Sequence, residues 1–413
     1  MILLSAELIL PITLPPLEDS AVAIKDGKIL ALGPRKELRK KYPEAEETRH
    51  RLLMPGLINA HAHLNFSGFP LLKTRHNFAQ WLVKAKGKKA EADPVQIEQA
   101  AKEELENCLK TGVTSIADIV GDPYMLEVHR QSPLFSTLFY ELIGVKDEDA
   151  GAKIDFVKKV FGGYNFRVGN NKLGISPHTP FTAGRALFKA AKNFAKRKQL
   201  CMCTHLAESE DEVEFIRSGT GPILDELFGP AGWKQKPKPH GCSPAQYLEE
   251  FIDRNMTLVH CVELSEQDLE IISRSRAVVH CLRSNLNLTG KFAPVPRMLK
   301  AGITVALGTD SPASAGDANL WNEMKAVYER RKKYPGGEIA SSEILKMATI
   351  NAATAIFRDG ELGSIAPGKT ANLIGINLSP IPKNPDQIAD EIINSACKEI
   401  EAVYIAGRKF AKE

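Results

Sequence analysis

The chain alternates short apolar runs with amphipathic stretches, and the two ends differ in texture from the middle. Ile2–Leu10, Ser20–Lys25 and Lys28–Leu32 have the length and alternation of short strands, and Asp26-Gly27 between the last two predicts a hairpin turn. Near the other end, Gly363–Lys369, Ala371–Ile376 and Ala402–Arg408 show the same short-strand, glycine-turn pattern. Neither end has enough strands to bury a core alone, so the two are expected to pair into one small β-sandwich.

The middle reads as strand, helix, strand, repeated. Asp93-Pro94 starts a helix, Val95, Ile97, Ala101, Leu105 and Leu109 form its apolar stripe, and Gly112 ends it. A strand ending at His61-Ala-His63 precedes it. Seven more follow at Val113–Asp118, Thr137–Leu142, Leu173–Ser176, Leu200–His205, Met256–His260, Ala277–His280 and Ile303–Gly308. Eight such β-then-α units predict a (β/α)₈ (TIM) barrel over residues 55–361, with residues 1–54 and 362–413 forming a composite β-sandwich. The segment 218–241, between the fifth and sixth strands, is long and rich in Gly and Pro, as a lid or specificity loop would be.

Composition narrows the setting. Hydrophobic residues make up 43% of 413 positions and charged ones 25%, which is ordinary for a globular chain. The formal charge is only +4 and the basic residues are dispersed, which argues against nucleic acid as a partner. Seven cysteines with no framework spacing point to reduced thiols, and no apolar run reaches the length of a membrane span. A cytoplasmic protein acting on a small-molecule substrate is expected, with no membrane or nucleic-acid partner and a homo-oligomer left open.

Barrel enzymes place their chemistry at the C-terminal ends of the strands. His61 and His63 end the first strand here, His178 follows the fourth, His205 and Glu208 the fifth, His260 the sixth and Asp310 the eighth. In a strand, His61 and His63 share one face. Three imidazoles and a carboxylate (His61, His63, His205, Asp310) can hold zinc or ferrous iron with a position open for water, whose pKa falls towards about 7. Glu208 stands beside that water without needing to be a ligand, suited to take its proton, and His260 can orient it or polarise the substrate. His50, His129 and His240 lie elsewhere and are assigned no role.

The motifs Pro55-Gly-Leu-Ile-Asn-Ala-His-Ala-His, Ser176-Pro-His-Thr-Pro-Phe-Thr, Thr204-His-Leu-Ala-Glu-Ser, Val259-His-Cys-Val-Glu-Leu, Cys281-Leu-Arg-Ser-Asn and Leu307-Gly-Thr-Asp-Ser-Pro-Ala-Ser, in this order, resemble the amidohydrolase superfamily. Within it the chain is most similar to the chlorohydrolase and aminohydrolase branch, which includes adenosine-type, guanine and aminodeoxyfutalosine deaminases. The resemblance implies that His61, His63, His205 and Asp310 are metal ligands, and that Glu208, His260 and Asp310 handle protons. It also implies that His178 touches the substrate and that Arg283, Ser284 and Asn285 lie near the rim. The stretch from Asn65 through Trp81 resembles the aminodeoxyfutalosine-deaminase side, with Trp81 as a further substrate contact and Asn65 where that side carries an acid. Binuclear relatives carry a bridging lysine at the end of the fourth strand, and Gly174-Ile-Ser-Pro-His-Thr-Pro has none, so one divalent ion per chain is expected, zinc before Fe(II). Three activities fit: a hydrolytic deaminase of an amino-substituted heteroaromatic ring, such as an adenine nucleoside; a hydrolase of a cyclic amide or halogenated ring on the same metal; and a non-catalytic metal-binding paralogue.

Overall fold

A computed structural model describes all residues except 75–76, 163–166, 169, 230–237, 383 and 411–413. The N-terminal strands are β1 (Ile2–Ile9), β2 (Leu17–Lys25), β3 (Lys28–Pro34) and β4 (Glu46–Pro55), with helix α1 (Arg35–Lys41) before β4. The barrel strands are β5 (Leu57–Ala62), β6 (Val113–Val120), β7 (Phe135–Leu142), β9 (Asn171–Pro177), β10 (Cys201–Leu206), β11 (Met256–His260), β12 (Ala277–His280) and β13 (Val305–Leu307). A two-residue strand β8 (Arg167–Val168) pairs antiparallel with β9 and has no counterpart in the sequence reading. The chain closes with β14 (Leu373–Ile376), β15 (Ile400–Ile405) and β16 (Arg408–Phe410).

Eight parallel strands run in the order β13-β12-β11-β10-β9-β7-β6-β5. They are largely buried runs, as the inner wall of a barrel covered by helices must be; every residue of Val113–Val120 is buried. The ends of this sheet meet through a parallel bridge between Ala62 and Asp310 and a hydrogen bond from Asp310 N–H to His61 C=O (3.0 Å). The fold is thus the (β/α)₈ barrel expected from the strand pattern.

The terminal strands form a second sheet, ordered β16-β15-β14-β4-β1-β2-β3 and mostly antiparallel. Ile24, Leu53, Leu373 and Tyr404, drawn from both ends of the chain, pack in one buried cluster, as a composite sandwich requires. Passage from one sheet to the other takes a single residue, Gly56, between β4 and β5. Gly363–Lys369 differs from the expectation: it forms turns rather than a strand, tied to β3 by Ile29 N–H to Lys369 C=O (2.8 Å). Its glycines supply turn conformations, with φ of +84° at Gly363 and +88° at Gly368, so a strand-like composition marked a turn.

Two long helices lie between β5 and β6, α2 (Phe78–Glu91) and α3 (Pro94–Lys110). The Asp93 side chain caps α3 at Val95 N–H (3.0 Å), and Ile97, Ala101 and Leu105 are buried as the stripe requires. Val95 instead stands in solvent, at 71% exposure, because the buried stripe begins at Ile97. No helix among the described residues is long and apolar enough to cross a membrane.

Gly308 lies where β13 meets β5, and a Cβ there would stand 2.7 Å from His61 Cβ and 2.8 Å from His61 N. Gly308→Ala therefore overpacks the barrel seam and should cost about 1–3 kcal/mol. Thermal melting of the variant checks this, and an unchanged midpoint would contradict the close approach.

Candidate metal centre and active site

His61 and His63 project from the end of β5, one residue apart on one face, and His205 from β10. Asp310 follows β13, placed by the bridge to Ala62. His63 Nε2 lies 3.2 Å from His205 Nε2, and His205 Nε2 lies 3.3 Å from His61 Nε2. Asp310 Oδ1 lies 3.6 Å from Nε2 of both His61 and His63. Four donors around one ion at about 2.0–2.1 Å in tetrahedral geometry stand about 3.4 Å apart. The four side chains present that spacing, and the residues fit a divalent transition metal.

Their outer atoms fix which atom faces inward. His205 Nδ1 donates to the His178 carbonyl (3.0 Å), which leaves the Nε2 lone pair aimed at the centre. Asp310 Oδ2 accepts from Ser284 Oγ (2.5 Å) and Ser314 Oγ (2.7 Å), leaving Oδ1 towards the imidazoles. Burial and the neighbouring imidazoles hold His63 and His205 well below the usual histidine range, so both are neutral, as metal-binding nitrogens must be. Burial would raise the Asp310 carboxyl, but the facing imidazoles of His61, His63 and His260 hold it well below the usual range.

Beside this cluster lies a second pair. His260 Nε2 faces Glu208 Oε1 at 3.5 Å, and His260 Nδ1 donates to Asn285 Oδ1 (2.9 Å). Burial, then Asp310 and Glu212, push the Glu208 carboxyl well above the usual range, while burial brings His260 down to about 4. A carboxyl poised to hold a proton in a cleft is the group that proton transfer needs.

His63, His205, Glu208, His260 and Asp310 form the floor of a cavity of about 490 Å³, walled by Trp81, Leu82 and Ala85 on α2 and by Phe66, Ile143 and Leu227. His178 lines it, with Nδ1 bonded to Thr182 Oγ1 (2.7 Å) and Nε2 facing Glu141 Oε1 at 3.7 Å. Trp81 lines it with its indole N–H tied to Leu72 C=O (3.1 Å). The rim positions expected from the sequence lie behind the centre. Ser284 and Asn285 hold Asp310 and His260, and Arg283 turns away to Asp317 (2.7 Å) and the Ala315 carbonyl. Of the segment 218–241, residues 230–237 lie outside the described residues; the helical turn Ile223–Phe228 brings Leu227 to the cavity.

Several contributors escaped the sequence reading. Glu141 ends β7, so the strand-end rule that selected the histidines could have found it. Asn65, which the sequence reading did single out, is buried in the lining, with Oδ1 unpartnered among the described residues. Asp118 accepts from Leu64 N–H (2.8 Å), just after His63, and is locked by His129 Nε2 (2.8 Å), whose Nδ1 meets Ser136 Oγ (3.1 Å). All three are wholly buried, so this Asp-His-Ser array positions the loop and cannot meet a substrate. His280 obeys the strand-end rule yet bonds Tyr334 Oη (2.9 Å), away from the cavity. His50 joins Glu401 (2.5 Å) and Tyr404 (2.9 Å) in the sandwich, and His240 lies against the Tyr247 ring.

Residues 52–409 match the amidohydrolase family, and residues 21–45 match an imidazolonepropionase-like composite domain of bacteria. The chain is 26% identical over 410 residues to 5'-deoxyadenosine deaminase of Methanopyrus kandleri, covering 96% of this chain and 90% of that one. It is 30% identical over 329 residues to aminodeoxyfutalosine deaminase of Deinococcus radiodurans, covering 76% of each. Among solved structures it is similar to Helicobacter pylori aminofutalosine deaminase in complex with methylthio-coformycin, with a TM-score of 0.86, 22% identity and coverage of 99% of this chain and 100% of that chain.

Glu212, fully buried, accepts from Ala207 N–H and Glu208 N–H at 2.9 Å each, and so holds the turn that carries Glu208. Glu212→Gln sets an amide NH₂ against one of those donors and should cost about 1–3 kcal/mol. Burial pushes the Glu212 carboxyl up to about 7 from 4.5. The folded state then binds the extra proton between those values, so this group makes stability fall as pH rises from about 4.5 to about 7. Denaturant unfolding of the Gln variant should show lower stability and a shallower slope over that window; an unchanged slope would contradict the assignment.

Proposed function

The chain belongs to the amidohydrolase family, and from that premise we propose that it is a hydrolytic deaminase, holding one divalent ion, zinc before Fe(II), and releasing ammonia from the ring amino group of an adenine nucleoside such as aminodeoxyfutalosine. The observation that carries this reading is the pairing of a four-donor cluster with a proton-holding carboxyl at the floor of one cavity. The names of the relatives from Methanopyrus kandleri and Deinococcus radiodurans support the substrate class.

His61, His63, His205 and Asp310 are the ligands in this reading, and the ion they would hold acidifies water. Water adds to the ring carbon that bears the amino group, the C–N bond breaks, and the ring carbonyl and ammonia result. Glu208 takes a proton from the attacking water and passes it to the adjacent ring nitrogen, a transfer suited to a carboxyl whose proton affinity is already raised. His260 faces Glu208 and, held by Asn285, orients the water. Asp310 carries a second proton to the departing amine, while Ser284 and Ser314 hold its other oxygen. His178, Glu141 and Trp81 line the space that the ring and sugar would fill.

The roles of Glu208 and His205 separate cleanly. Glu208→Gln keeps size but cannot take up a proton; kcat should fall about 10²–10⁴-fold while bound metal stays at the parent level. His205→Ala should lose metal and turnover together. A Glu208→Gln protein that is empty of metal, or within a few-fold of parental turnover, would overturn the role given to Glu208. Adenine nucleosides should release ammonia, whereas a cyclic amide should stay unopened and a chlorinated triazine should release no chloride; the reverse pattern would favour a different leaving group on the same site.

A further inference from the structure

Glu323 places a carboxyl where the pattern calls for an apolar side chain. It sits on the helix Leu320–Arg330 among the buried residues Leu320, Trp321, Met324 and Val327, and is itself wholly buried. A buried carboxyl is costly unless something answers it, so its partners decide its role. Oε1 accepts from Arg283 N–H (3.1 Å), and Oε2 faces Arg283 Nε at 3.9 Å with no hydrogen-bond partner among the described residues. The helix that carries it is a fixed support: Asn319 caps it at Trp321 N–H (3.0 Å), and the Trp321 indole N–H donates to the Thr111 carbonyl (2.7 Å).

Arg283 N–H belongs to the first turn of the helix Leu282–Leu288, whose own N-cap residue, Cys281, makes no side-chain cap. Glu323 supplies from across the fold the acceptor that this cap lacks. The next two residues of the gripped turn are the ones that reach the centre: Ser284 Oγ donates to Asp310 Oδ2 (2.5 Å), and Asn285 Oδ1 accepts from His260 Nδ1 (2.9 Å). A shift of that turn therefore moves a metal-facing carboxylate and the histidine opposite Glu208 together. The arrangement has a counterpart in Glu212, equally buried, which holds the turn of Glu208 through two backbone N–H groups. Burial pushes the Glu323 carboxyl up to about 8, with Arg283 and the Leu282 and Arg283 N–H groups opposing. The cap needs only an acceptor oxygen, which a glutamine would also offer.

We propose that Glu323 is a positioning residue for the active site, holding the first turn of Leu282–Leu288 so that Ser284 and Asn285 set the orientation of Asp310 and His260. Its kinetic consequence rests on the deaminase reading above, whereas its consequence for metal binding needs no substrate. Glu323 touches neither the cavity nor the donor cluster and acts through two side chains that do the holding.

Glu323→Leu removes the acceptor and leaves an apolar side chain among apolar neighbours. Zinc affinity, measured by competition with a chromophoric chelator, should fall about tenfold, the lower end of what losing a partner of a metal ligand costs. With 5′-deoxyadenosine as the probe, kcat should fall about tenfold with KM within twofold of the parent, because the cavity walls are untouched. Glu323→Gln keeps an acceptor for Arg283 N–H and should recover most of both losses. Because Glu323 acts through Ser284 and Asn285, Glu323→Leu should add less than twofold to either loss in a Ser284→Ala/Asn285→Ala background, where independent sites would add in full. If the leucine variant does not fold, Glu323→Asp, which draws the acceptor back by one methylene, takes its place. A lower melting midpoint with parental zinc affinity and kcat, or losses that add in full to those of the Ser284/Asn285 background, would overturn the role. Ammonia from no adenine nucleoside with the unaltered protein would overturn the deaminase reading, and the zinc measurements would still decide for or against Glu323.

Discussion

The barrel closes on the same atoms that build the centre. Asp310 N–H donates to the His61 carbonyl, and the bridge between Ala62 and Asp310 joins the last strand's end to the first. Asn59 reinforces the seam, accepting from Thr309 N–H (3.1 Å) and donating to Thr309 Oγ1 (2.8 Å) across 250 residues of sequence. Closure and ligand placement are therefore one event. A chain that failed to bring β13 against β5 would lose the carboxylate from the cluster and the sheet's last neighbour together. The close approach of Gly308 to His61 belongs to the same constraint.

Around that seam the backbone is bent into conformations that side chains seldom adopt. Ala207, His260 and Asp310 have φ of +50°, +70° and +59°. Each such residue costs on the order of 1–3 kcal/mol and persists only when its surroundings over-determine it. Here they do: Glu212 grips the turn after Ala207, Asn285 grips His260, and two serines with the His61 carbonyl grip Asp310. The strain aims side chains inward from strand ends that would otherwise continue into their loops. Burial adds the second ingredient, stripping the imidazoles of charge while leaving Glu208 inclined to hold a proton. A site that must bind a cation and move a proton needs both conditions within a few ångströms.

Much of this was readable in the sequence because parallel barrel strands are buried on both faces and so appear as continuous apolar runs. Val113–Asp118 and Met256–His260 were visible for that reason, and the strand-end rule then picked out His61, His63, His178, His205, His260 and Asp310. The rule has no access to side-chain direction, so it could not tell His280, turned to Tyr334, from His260. Residues that act through others left no pattern. Asp118, His129 and Ser136 come from β6, the helix after it and β7, and only folding brings them into line. Arg283, Ser284 and Asn285 were expected at the rim from the family resemblance, whereas the helix Leu282–Leu288 turns two of them to the back of the cluster and one to Asp317. The turn at Gly363–Lys369 imitated a strand because glycine-flanked apolar residues serve both.

The four-donor cluster is the centre of the account, and a metal titration tests it most directly. Chelated protein is loaded with increasing zinc, bound metal is measured by elemental analysis, and ammonia release from an adenine nucleoside is followed at each step. We expect both curves to rise together and to break at one equivalent per chain. A break at two equivalents, or full turnover by the metal-free protein, would contradict a single ion held by His61, His63, His205 and Asp310.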